Sequence, residues 1–306
     1  MTEESADPHH PTIFDRVFKP DTGSTLYHYC STPTFLSILQ NGALRFSDAN
    51  MMNDSEEGRY GYRLFERAAN ELLEQAKKKP SLEGLEPDFF DRLDACLSPK
   101  QLHSHPVIAC FSKAPDVLSQ WRAYAQEGKG WAVGFDGGAI DAMPVTLFDV
   151  LYDPDQQLEE VRNSLAAIYF LWREQGGDFE AAVGSSARLL SSLMLAYKHP
   201  SFHEEQEVRA LHELRVELAE DGWLLIDEGG TASGKEVEGQ PVQFRADGAS
   251  IVAYVDVPLE RAARGTIPEL WLGPGNLNGP GNALYPLTQF GHRNVVLRWS
   301  ASSYRG

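Results

Sequence analysis

An α+β domain is what this sequence predicts, and three observations carry the prediction. Between residues 26 and 135, short apolar and β-branched runs are interleaved with segments of helical periodicity. From about 149 to 198, apolar residues recur at helical spacing, which marks a helical insertion. Beyond Glu207 the chain is again rich in short strand-like runs separated by glycine-bearing loops. Residues 1–24, with Pro8, Pro11, Pro20 and Gly23, read as a loose lead-in, and 25–306 as a single domain.

The elements follow in order. Residues 26–29 form a first strand. Ser31-Thr32-Pro33 then offers a capping hydroxyl and a first-turn proline to a helix over 35–40, which Asn41-Gly42 stops. Residues 43–47 resume as strand, and Asn53-Asp54 is placed to cap a helix running through Tyr62, Leu64, Phe65, Ala69 and Leu72. Phe89, Phe90 and Leu93 support a short helix among Pro80, Pro87 and Pro99. Residues 107–111 are a strand, 116–125 a helix whose Trp121 and Tyr124 anchor core, and 131–135 a strand. Helices over 155–172 and 179–197 make the insertion. Strands follow at 207–211, 223–226, 251–257, 270–272 and 295–299. Residues 229–239 and 273–282 are loops, and the second lacks the context of a phosphate cradle.

Charge narrows the function. The chain carries 44 acids against 27 Lys and Arg, a formal charge of −17, which argues against tight duplex binding because that surface needs clustered cations. The run Lys77-Lys78-Lys79 ends an amphipathic helix and complements its dipole. No apolar stretch approaches the length that crosses a bilayer, so no membrane partner is expected. Met1-Thr2-Glu3-Glu4 is acidic and does not read as a secretory signal. Cys30, Cys96 and Cys110 are scattered without CxxC spacing, so neither a disulfide framework nor a zinc ribbon is indicated, and a reduced cytoplasmic setting is expected.

Chemistry concentrates in Phe202-His203-Glu204-Glu205-Gln206-Glu207-Val208-Arg209. On an extended segment Glu205 and Glu207 share a face, and two such acids repel unless a cation or donor lies between them. Taken alone, the pair reads first as solvated acids at a strand edge. Arg209, two residues further, shares the face and can simply neutralise Glu207. His28 reads either as a satisfied strand histidine or as a ligand to hydroxyls, and Arg122 either as a surface ion pair or as a diphosphate contact. His199 and His203 have i,i+4 spacing, but Pro200 breaks the helix that would align them, so no metal site is expected.

Four ordered pieces carry a family resemblance: Leu26-Tyr27-His28-Tyr29; Leu44-Arg45-Phe46-Ser47-Asp48 with Asn53-Asp54-Ser55-Glu56; Cys110-Phe111-Ser112 with Ser119-Gln120-Trp121-Arg122-Ala123-Tyr124; and Tyr197-Lys198-His199-Pro200 through Arg209. Together they resemble the bacterial DUF2971 family over most of 26–305. More distantly, a strand-borne His, a strand ending in Ser and Glu-x-Glu before a strand resemble the ADP-ribosyltransferase fold. That resemblance implies a split, curved β-sheet cleft with peripheral helices, in which His28 holds the NAD ribose or phosphate, Ser112 supports the NAD site by hydrogen-bonding the glutamate or the ribose, Glu207 meets the nicotinamide ribose, and Glu205 is the first acid of the motif. The Ser-Thr-Ser triplet of that fold is missing, and Tyr29, Tyr60 and Tyr124 all stay open as the nicotinamide-stacking aromatic. The expected function is an NAD-dependent ADP-ribosyltransferase acting on an unknown protein or nucleotide acceptor, perceived by resemblance as a toxin or phage-defence effector, or an NAD glycohydrolase. The alternatives are a non-catalytic nucleotide- or protein-binding module and a metal-dependent nuclease or hydrolase.

Overall fold

The computed structural model describes residues 20–51, 56–97, 104–175, 179–259 and 266–304. The Asn53-Asp54 cap and most of the 1–24 lead-in lie outside the described residues. Strand β1 (Thr25–Cys30) leads through helix α1 (Thr32–Asn41) to β2 (Ala43–Asp48). The Ser31 side chain accepts the Thr34 N–H, and Gly42 closes α1 in the left-handed region at φ 58°, as the sequence predicts. Then come α2 (Glu56–Ala76), α3 (Pro87–Cys96), β3 (Ser104–Ser112), α4 (Leu118–Tyr124), β4 (Trp131–Asp136), α5 (Gly137–Asp141) and β5 (Thr146–Asp149). The insertion is α6 (Pro154–Gln175) and α7 (Phe179–Met194). The rest is β6 (Glu207–Ala219), β7 (Gly222–Ile226), the small hairpin β8 (Gly230–Ala232) and β9 (Lys235–Val237), β10 (Gln243–Asp247), β11 (Ser250–Pro258), β12 (Glu269–Leu272), α8 (Pro280–Gln289) and β13 (Val296–Trp299).

Eleven of the described strands form one mixed sheet, organised around β3. One edge of β3 pairs with β6 along its whole length, from Ser104 opposite Arg215 to Ser112 opposite Glu207. The other edge is shared between two strands. Val107 and Ile108 pair with Asp48 and Ser47 of β2, while Ser112 pairs with Tyr27 of β1. Between those contacts, at 109–111, neither strand is in register with that edge. The arm β1-β4-β12-β13 and the arm β2-β11-β10 therefore diverge from β3 and leave a gap, which α1 spans as the link from β1 to β2.

Strand alternation distributes side chains between two cores. Val107, Ala109 and Phe111 of β3, with Val208 and Ala210 of β6, join the core that α1 and α8 cover through Phe35, Ile38, Leu39, Ala283 and Leu287. Ile108 and Leu211 join the opposite core, built with α2, α3, α6 and α7. The helical layer is tied together by a polar chain inside it. Tyr60 of α2 donates to Gln157 Oε1 of α6 at 2.6 Å, and the buried Gln157 Nε2 donates to the carbonyls of Leu151 and Lys198 at 2.6 and 2.9 Å.

Several elements depart from the sequence pattern. β6 runs to Ala219, well past residue 211, because it borrows partners from β3, β5 and β7 in turn. β5, of four residues, and β10, exposed along most of its length, carry too little periodic signal to be read as strands. α8 begins inside the segment read as a loop and tolerates Pro286 in its interior.

One buried ion pair fastens β6 to the segment after β7. His212 Nε2 meets Asp227 Oδ1 at 2.7 Å and its Nδ1 meets the Pro144 carbonyl at 2.8 Å. Both partners can only accept, so both ring nitrogens carry protons. Burial works against that charge, but the Asp227 hydrogen bond and the Pro144 carbonyl outweigh it and raise the imidazole above its usual 6.5. The pair's contribution is then complete below the ordinary imidazole value and is lost as pH rises through the raised one. His212→Gln is expected to lower stability by about 1.5–3 kcal/mol at pH 5.5 and by distinctly less at pH 9, read from urea unfolding midpoints. An equal loss at both pH values would show that the ring is neutral.

Candidate functional site

The gap beside β3 opens into a cleft of about 310 Å³. His28 and Tyr29 of β1, Cys110 of β3, Gln120 and Tyr124 of α4, and the group Lys198, Glu205, Glu207 and Arg209 line it. A larger hollow of about 630 Å³ lies between Pro144, Arg188 and Thr231, but its His212 is committed to Asp227 and Pro144. The smaller cleft therefore carries the candidate chemistry.

His28 fills the unpaired stretch of β3. Its Nδ1 meets the Cys110 carbonyl at 2.9 Å, so the proton sits on Nδ1 and Nε2 is left as an acceptor. Burial holds the imidazole below its usual value, and the ring is neutral near pH 7. The Cys110 thiol in turn hydrogen-bonds Glu207. Burial above all, then the Glu207 charge, pushes that thiol well above the ordinary range. A single β3 residue thus touches both the histidine and the glutamate.

The two acids reach one cation by a route other than strand alternation. Glu205 ends a 3₁₀ turn (Pro200–Glu205), and Gln206 is left-handed at φ 43°, so β6 begins only at Glu207. This corrects the expectation that both acids project from one extended segment. Their carboxylates converge because Lys198 lies between them, with Nζ 2.6 Å from Glu205 Oε2 and 3.1 Å from Glu207 Oε2. Arg209 adds a fork on Glu207, from Nε at 2.8 Å and Nη2 at 3.1 Å, and donates from Nη1 to the Leu195 carbonyl at 2.7 Å. All four side chains are buried, and their formal charges sum to zero. Burial alone would raise Glu207, but Arg209 and then Lys198 outweigh it and lower the carboxyl to about 2. The Glu207 backbone is fixed as well, since its N–H donates to Tyr152 Oη at 3.0 Å.

The remaining predicted residues divide. Ser112 sits beside the cleft as a positioning group: its hydroxyl donates to the Glu205 carbonyl at 2.7 Å and accepts the Ala114 N–H at 3.1 Å. Tyr29 lines the cleft, but its hydroxyl donates to Ala114 O and accepts from Val117 N, and its ring packs edge-on against buried Trp121. Tyr124 lines the cleft close enough to Lys198, Glu205 and Glu207 to feel their charges. Tyr60 is engaged with Gln157 in the helical layer instead. Arg122 lies outside the cleft, exposed, with its guanidinium 5.6 Å from the Tyr304 ring centre. Lys198 and Cys110 were given no role by sequence reasoning, although both stand within the quoted motif segments. No pattern in one sequence says that a lysine after a helical insertion returns to the sheet.

Among the described residues no group of three His, Cys, Asp or Glu side chains is arranged to hold a metal ion, and no helix is long and apolar enough to cross a membrane. The ion-pair group predicts its own energetics. Lys198→Met removes the ammonium shared by two buried carboxylates, leaving Glu207 to Arg209, and is expected to cost about 3–5 kcal/mol. Adding Glu205→Gln to that variant is expected to return part of the loss in urea unfolding, and strict additivity of the two changes would contradict direct coupling.

No curated protein and no solved structure matches this chain. Residues 120–210, which run from α4 into β6 and hold Tyr124, Lys198, Glu205, Glu207 and Arg209, match the model of the family DUF2971, described as a protein of unknown function.

Proposed function

We propose that the cleft binds NAD and breaks the bond between its nicotinamide ring and ribose, passing ADP-ribose to an acceptor group or to water. The observation that carries this reading is the row Tyr27–Ser112–Glu207 across the adjacent strands β1, β3 and β6. It draws the three motif-bearing segments together and sets His28, Tyr124 and Glu207 around one hollow. The split of the sheet beside β3 agrees with the cleft that the ADP-ribosyltransferase resemblance implies. A toxin or phage-defence role rests on that resemblance alone.

The chemistry asks for what these residues offer. As the C1′–N bond breaks, its electron pair returns to the pyridinium ring, nicotinamide leaves neutral, and positive charge develops on the ribose. A carboxylate held anionic, such as Glu207, stabilises that charge without itself moving. His28 Nε2 accepts from a ribose hydroxyl, and Tyr124 offers a flat ring for the nicotinamide. Glu205 takes the proton that the acceptor loses as its heteroatom bonds to C1′.

A second reading has its own observation. Arg209, Lys198 and the Cys110 thiol already satisfy the Glu207 carboxylate, which favours a cleft that binds a nucleotide without cleaving it. Nicotinamide release from NAD separates the two. Wild-type protein is expected to release nicotinamide, and Glu207→Gln, checked for folding by thermal unfolding, to release it at least about 100-fold more slowly. NAD binding with no release, and no labelled product in lysate, would establish the non-catalytic reading.

A further inference from the structure

Past His28 the cleft continues. A second hollow of about 290 Å³ opens against α1 and β2. His28, Thr34 and Arg45 line both hollows, so the two form one groove with a waist at those residues. Their linings differ in kind. The first holds the four ionised groups around Glu207 and, further out, the Arg245–Asp247 pair. The second is lined by neutral polar groups of α1, with Thr34, Ser37 and Asn41 three and four residues apart and hence on one helix face, and by Asp256 across from them.

Arg45 is held ready at the waist. Its Nε and Nη2 fork onto Asp256 at 2.8 and 3.0 Å, and its guanidinium lies 3.9 Å from the centre of the Tyr254 ring. That fork uses two of the five donors of a guanidinium, a group whose geometry suits phosphate oxygens. Hollows of this size lie at the small end of ligand sites, so each suits one nucleoside unit.

We propose that the second hollow holds the distal half of a two-part ligand whose anionic bridge lies against Arg45, which makes the ligand class a dinucleotide joined by a diphosphate. This rests on the NAD reading for which half enters the first hollow. The groove then selects dinucleotides over mononucleotides, because a mononucleotide, whose phosphate can still reach Arg45, leaves the hollow against α1 empty.

Calorimetric titration with NAD and with nicotinamide mononucleotide tests it. Wild-type protein is expected to bind NAD at least about tenfold more tightly than the mononucleotide, the worth of one or two hydrogen bonds gained in the second hollow. Ser37→Trp, which fills the second hollow, is expected to bring that ratio close to one. Asn41→Phe does the same from the exposed end of α1 should the first variant fold poorly, and Arg45→Gln is expected to lower NAD affinity about tenfold. If both ligands bind wild type but the ratio is near one, or survives Ser37→Trp and Asn41→Phe, the proposal falls while the NAD reading stands. If neither ligand binds wild type, both fall together.

Discussion

Two strands cannot pair with the same stretch of a third strand's edge, and this exclusion shapes the molecule. β2 takes the edge of β3 at Val107 and Ile108, and β1 takes it at Ser112. What lies between is a short run of backbone that must find its hydrogen bonds elsewhere. His28 supplies one by meeting the Cys110 carbonyl. The cleft, its histidine and the helix that bridges it all follow from that shared edge.

The second constraint is electrical. A buried carboxylate is tolerated only with opposite charge in contact, and Glu205 and Glu207 bring two. The compensating cations come from different parts of the chain, Arg209 from β6 itself and Lys198 from the segment that follows α7. The helical insertion therefore belongs to the site's electrostatics as much as to the core it covers. The lining changes along the groove, from the ionised group around Glu207 at one end to the hydroxyls and the amide of α1, faced by the Arg45–Asp256 pair, at the other.

Much of the local structure was legible in the sequence, because local structure is written in local signals. The Ser31 cap, the Gly42 stop and the helical spacing of the insertion depend on residues a few positions apart. Period-two alternation correctly put Arg209 in position to neutralise Glu207. Alternation failed at Glu205, where the left-handed Gln206 replaces extended chain with a turn. Lys198 reaches Glu205 and Glu207, seven and nine positions on, across an irregular turn with no periodic signal. The roles of Cys110 and Arg45 depend on strand pairings that join residues about 100 to 200 positions apart, as Cys110 with Arg209 and Arg45 with Asp256, and periodicity carries no record of those. Ser112 is expected to hold the glutamate or the ribose, and its hydroxyl holds the backbone carbonyl of Glu205.

The chain of contacts from Tyr60 through Gln157 to the Lys198 carbonyl acts as a tie rod. It fastens the Lys198 backbone to α2 and α6, so the packing of those helices sets where the side chain that stands between the two carboxylates starts. The helical layer thus acts as a gauge for the cleft, setting the anchor of one of its two buried cations while β6 carries the other.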